Sequence, residues 1–111
     1  MPLIRELQQE HRSWLAHNFP NQGTIDPFLG MVEEVGELAH ALLKYKQGIR
    51  GHAAGEVDRY SDAIIDGLGD LFIFMLSFSN SHNLDLESAI IKTWQKVQQR
   101  DWVNDPEQGG E

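Results

Sequence analysis

The 111 residues make one domain's worth of chain, with 17 acidic and 9 basic side chains, a net charge of −8 and no cysteine. The acidic balance argues against a nucleic-acid backbone or an anionic membrane as the main partner, and the missing thiols exclude disulfides, thiolate metal sites and cysteine nucleophiles. The longest apolar run, LFIFML, is too short to span a bilayer and the charged start MPLIRELQQEHRSW has no signal-peptide core, so a cytoplasmic protein is expected.

Residues 2–18 predict an amphipathic helix with Leu3, Leu7, Trp14 and Leu15 on one side, ended by the turn cluster NFPNQG. A second helix is predicted over 26–46, with Asp26 as N-cap, Pro27 in the first turn and Phe28, Met31, Val32, Val35, Leu38, Ala39 and Leu42 as its core stripe. The glycine-rich GIRGHAAGEV reads as a loop. A third helix over 58–79 is nearly all apolar after Ala63 and demands burial. Asp85 is placed to cap a fourth helix over 85–100, with Leu86, Ala89, Ile90, Trp94 and Val97 inward, and the tail 103–111 is expected to fray. With no alternating strand pattern and no repeat, the expected fold is all-α, a single four-helix bundle over 1–111.

Two acidic stretches interrupt this pattern. Glu33, Glu34 and Glu37 share a helix surface, and none has a Lys or Arg three or four positions away. Asp62, Asp66 and Asp70 fall at i, i+4 and i+8 of the third helix. Arg59 can reach Asp62 from one turn earlier, but Asp66 and Asp70 have no such neighbour. A solvated face is the ordinary explanation of a charge run, and the missing ion pairs weigh against it here. Carboxylates on helices that must be buried need a compensating charge. Hard oxygen donors without Cys or paired His favour Mg²⁺, with Mn²⁺ as a substitute.

Other signals are weaker. Gly67 and Gly69 lie inside a helix rather than in a strand–turn–helix, so they are expected to admit a neighbouring helix or a ligand instead of forming a dinucleotide loop. Glu37 and His40 form one E-x-x-H step, whereas a carboxylate-bridged di-iron bundle needs two. Trp14, Trp94 and Trp102 have the chemistry to stack a base, but packing is the commoner use of large aromatics, and Trp94 is expected to pack.

EEVGELAHALLK, followed about thirty residues on by DAIIDGLGDLFIFML, resembles the MazG-like nucleotide pyrophosphohydrolases of the all-α NTP pyrophosphatase superfamily, over about residues 28–102. The resemblance implies that the second and third helices form a Mg²⁺ cleft in which water splits a nucleoside triphosphate, (d)NTP, into the monophosphate and pyrophosphate. Glu33, Glu34 and Glu37 match the first family motif. The second commonly reads E-x-x-D; Asp70 fits its Asp, Gly67 stands in place of its Glu, and Asp66 offers a carboxylate one turn from Asp70. On this reading Glu34, Glu37, Asp66 and Asp70 hold the metal, and Glu33 and Glu34 are the catalytic carboxylates, Glu33 as base or further ligand. Lys44, Lys96 and Arg100 are the phosphate-binding candidates, with Lys92 extending the last stripe. The family likeness also implies a homo-oligomer, dimer or tetramer, with active sites bordering a subunit interface, and a housekeeping role in the nucleotide pool. Two alternatives remain open: a non-catalytic helical dimerisation module, and a relative of phosphoribosyl-ATP pyrophosphohydrolase.

Overall fold

The structure, a computed structural model, describes residues 3–48 and 57–107, with side chains from residue 61 onward in the second segment. Most of the glycine-rich loop, the Arg59 side chain of the expected Arg59–Asp62 pair and the last four residues of the tail lie outside the described residues. Four helices follow one another: α1 Leu3–Asn18, α2 Asp26–Gln47, α3 Val57–Ser81 and α4 Leu86–Val97. No strand occurs among the described residues.

The fold is built on α3. Gly30 of α2 lies against the ring of Phe74, and Leu38 of α2 lies against Gly67, so α2 and α3 run antiparallel. A Cβ on Gly30 would come within 2.3 Å of the Phe74 ring, and one on Gly67 within 2.5 Å of a Leu38 methyl. Both glycines are therefore points of close helix approach. Gly69, which looked equivalent in the sequence, has nothing within 4 Å of that position. The pair ends tidily: Pro27 is fully buried at the start of α2, and Gly48, with φ 72°, closes it by donating its N–H to the carbonyls of Lys44 and Tyr45. Asp26 is the first helical residue rather than the cap; its carboxylate accepts the Gly23 N–H at 3.1 Å and braces the preceding turn.

Helix α1 covers another side of α3, also antiparallel, since Gln8 meets Asn80 while Trp14 meets Ile73 and Leu76. Its buried side chains are Gln8 and His11, whereas Leu3 and Trp14 of the expected apolar stripe are more than half exposed. Hydrogen bonding explains the inversion. Gln8 Nε2 donates to Asn80 Oδ1 at 3.0 Å and to the Leu84 carbonyl at 2.7 Å, and Gln8 Oε1 accepts the Leu86 N–H, the first of α4. In return Glu87 of α4 accepts the Arg5 N–H in the first turn of α1. Each helix thus satisfies an orphan N–H of the other, a cross-cap between residues about eighty positions apart. Arg5 also pairs with the carboxylates of Asp85 and Glu87, and this occupies the Asp85 side chain that would otherwise have capped α4.

Among the described residues neither α1 nor α4 approaches α2 closely. Much of the predicted core stripe of α2, including Phe28, Val32, Val35 and Leu42, is consequently exposed in the single chain, as are Ile65 and Leu68 of α3. Beyond Leu86, the inner stripe expected for α4 is exposed too, Trp94 included.

Gly30→Ala is expected to lower stability by about 1–3 kcal/mol, the usual cost of overpacking, because a ring has little freedom to withdraw. Gly69→Ala is expected to raise it by roughly 0.5–1 kcal/mol through helix propensity. Urea midpoints of the two variants at fixed protein concentration measure the contrast.

Candidate metal centre

The α2–α3 register places Glu34 between two tight layers, Gly30 against Phe74 on one side and Leu38 against Gly67 on the other. Its side chain is squeezed out of solvent contact, at 8% exposure. One of its carboxylate oxygens, Oε1, is buried with no hydrogen-bond partner. Such a group is costly unless something else satisfies it.

Glu33 and Glu37 flank it on the open side of α2 and are exposed. One carboxylate oxygen from each of the three glutamates lies within 4.8 Å of the others. Asp70, one turn from Phe74 on α3, adds its charge from the facing helix. Burial first, then Glu37, Asp70 and Glu33, hold the Glu34 carboxyl above the ordinary glutamate value of 4.5. Three acidic neighbours around a desolvated, unpartnered oxygen form a surround that a hard dication fits.

The structure therefore brings together Glu33, Glu34 and Glu37, and Asp70 acts on Glu34 through its charge from α3. Asp66 and Asp70 are both exposed, and Asp66 is not among the charges acting on Glu34. At position 67, where the resemblance would put a glutamate, a Cβ would come within 2.5 Å of a Leu38 methyl, so any side chain there needs Leu38 to shift. Lys44 lies two turns along α2 from Glu37 and donates to Gln47 Oε1 at 3.2 Å. Lys96 is on α4 and Arg100 just beyond its end, on a part of the chain that does not approach α2.

The model of the MazG nucleotide pyrophosphohydrolase domain matches residues 24–103 of this chain. The chain belongs to that family. No curated protein and no solved structure matches it. The match includes the whole acidic site and omits α1. MazG domains generally hydrolyse phosphoanhydride bonds of nucleotides and depend on divalent metal, and the acidic cluster found here is of the kind such a dependence requires. No helix is long and apolar enough to cross a membrane among the described residues.

Sequence spacing alone found Glu33, Glu34 and Glu37. Asp66 and Asp70 lie on one stripe of α3, and of the two only Asp70 acts on the Glu34 charge.

Because the Glu34 pKa is raised on folding, its favourable contribution is complete below about pH 4.5 and is lost as pH rises through the folded-state value. Glu34→Gln is accordingly expected to raise the melting temperature of metal-free protein near pH 7 and to change it little near pH 4. Mg²⁺ is expected to raise the melting temperature of the wild type and to have much less effect on the variant. Differential scanning calorimetry with and without EDTA reads both.

Proposed function

We propose that this chain is a Mg²⁺-dependent nucleoside triphosphate pyrophosphohydrolase, converting (d)NTP and water into (d)NMP and pyrophosphate. The observation that carries the reading is the buried, unpartnered Glu34 oxygen, with the Glu33 and Glu37 carboxylates beside it and the charge of Asp70 acting from α3.

Glu34, Glu37 and Asp70 would hold the metal. When bound, Mg²⁺ supplies charge neutralisation at phosphate oxygens and acidifies water. The remaining work falls to the side chains. Glu33 is exposed and within a few ångströms of the other glutamates, which places it to take the proton of the attacking water. Attack at the α-phosphorus breaks its bond to the bridging oxygen, and pyrophosphate departs with that oxygen. Asp66, one turn from Asp70 and exposed like it, would offer the metal a further carboxylate from α3. Lys44, on the same side of α2 as Glu33 and Glu37, would neutralise the departing phosphates.

The assembly we infer is a homo-oligomer, since Phe28, Val32, Val35 and Leu42 form an uncovered apolar stripe on α2 facing away from the glutamates. Lys96 and Arg100 would then reach an acidic cluster as a phosphate-binding pair within an assembly of copies, because α4 does not meet α2 in one chain. The setting we assign is the cytoplasmic nucleotide pool.

The test is pyrophosphate release from a panel of canonical and modified nucleotides with Mg²⁺, Mn²⁺ or EDTA. Metal-dependent release of monophosphate and pyrophosphate is expected, reduced at least about a hundredfold in Glu37→Ala and Asp70→Ala, given that even outer-shell partners of a metal cost 10–100-fold. Absence of both release and metal binding would leave a helical interaction module as the account.

A further inference from the structure

The contact of α1 with α3 rests on hydrogen bonds whose direction is fixed at one end by α4. The Leu86 N–H, the first of α4, can only donate, and it donates to Gln8 Oε1 at 3.0 Å. Gln8 Nε2 must then face the other way, and it donates to Asn80 Oδ1 at 3.0 Å and to the Leu84 carbonyl at 2.7 Å. Asn80 Oδ1 also accepts from Arg12 Nη2, a group that cannot accept in return. Asn80 Nδ2 is thereby turned toward the Gln8 carbonyl, at 3.1 Å, and toward His11 Nδ1, at 3.4 Å. The role left to Nδ1 is that of acceptor, so His11 is the neutral tautomer with its proton on Nε2.

A proton on Nδ1 would set one N–H against another. Turning the Asn80 amide over gives no relief, because Nδ2 would then meet the Gln8 and Arg12 donors, and Gln8 is too buried for water to replace its lost bond. Gln8 in turn cannot rotate without orphaning the Leu86 N–H. The charges around His11 are few. On α1, Glu10 lines the same groove and favours a charged imidazole, Arg12 opposes it across Asn80, and the tilted Trp14 ring at 5.7 Å adds a weak cation–π attraction. The α3 residues that face it, Ile73, Leu76 and Asn80, carry no charge, and the acids at the start of α4, Asp85 and Glu87, are held by Arg5. Among the described residues α2 does not approach α1. Burial decides the balance and holds the His11 pKa below the ordinary 6.5. Since the folded-state value is the lower one, the stability tied to His11 is complete above about pH 6.5 and is lost as pH falls through the folded-state value.

We propose that His11 is an acid-sensitive latch: its neutral imidazole holds α1 on α3, and protonation releases α1 and with it the Gln8 bond at the start of α4. The latch stands apart from the pyrophosphohydrolase reading, since α2 and its glutamates take no part in these bonds. It draws on α1, which lies before the residues matched by the family model.

The experiment is a pH titration of the full-length protein between about pH 7.5 and about pH 5, the range in which histidine changes charge. NMR follows the His11 imidazole nitrogens and the Leu86 amide, in the wild type and in His11→Asn, whose side-chain oxygen can take the place of Nδ1 and cannot be protonated. At the upper end Nδ1 is expected to be bare and Nε2 protonated. On acidification the His11 midpoint should lie below 6.5, and the Leu86 amide should shift with the same midpoint as its acceptor is withdrawn. The Leu86 shift should be absent from His11→Asn. The folding constant of the wild type should fall as well, approaching a tenfold loss for each pH unit by which the midpoint lies under 6.5, a loss the variant avoids. A protonated Nδ1 at neutral pH overturns the latch, as does a midpoint at or above 6.5, a Leu86 amide that stays put while His11 titrates, or a Leu86 shift that persists in His11→Asn. Should His11→Asn not fold, the coincidence of the two midpoints in the wild type decides alone.

Discussion

Glu34 has nowhere to go. The helix pair that contains it closes most tightly just above and just below it, with the Phe74 ring seated on Gly30 and the Leu38 methyls seated on Gly67. Between these layers a carboxylate is kept from water contact while remaining shallow enough in the molecule for an ion to reach. Its neighbours worsen its position, because Glu33 and Glu37 come from its own helix and Asp70 from the helix opposite. Packing that stabilises the α2–α3 pair therefore creates an electrostatic cost at its centre, one that a bound dication would offset.

The same packing bears on position 67, where the resemblance would put a glutamate. A Cβ there would press on the Leu38 side chain, so any larger residue needs Leu38 to shift. With glycine at 67, three glutamates come from α2, and the carboxylates that α3 offers one turn apart are Asp66 and Asp70.

Helix count, helix type and the acidic motif were legible because each rests on local spacing. The three glutamates, Asp66 and Asp70 stood out by lacking basic neighbours, a property readable within a few residues. Other features were not local. The stripe of Phe28, Val32, Val35 and Leu42 has the period of a buried face, but periodicity reports that a face favours burial and not which molecule covers it. Gln8 and His11 took the buried side of α1 because their partners, Asn80, Leu84 and Leu86, are some seventy residues away and supply hydrogen bonds that no local pattern foretells. Gly67 and Gly69 are indistinguishable in composition and helical setting; only the position of Leu38 tells them apart.

The cross-cap between α1 and α4 ties the two ends of the chain into one cooperative unit. Arg5, Gln8, Asp85 and Glu87 stand or fall together, so fraying that starts at α1 carries away the support of α4. Helix α3 shares in this network through Asn80, which bonds Gln8, whereas α2 does not. The molecule is thus divided into an inner unit bearing the carboxylates and an outer one of α1 and α4, joined along α3. Partial opening of the outer unit would leave the charge centre assembled while dissolving the surface beside it, and amide hydrogen exchange would record the two as separate populations.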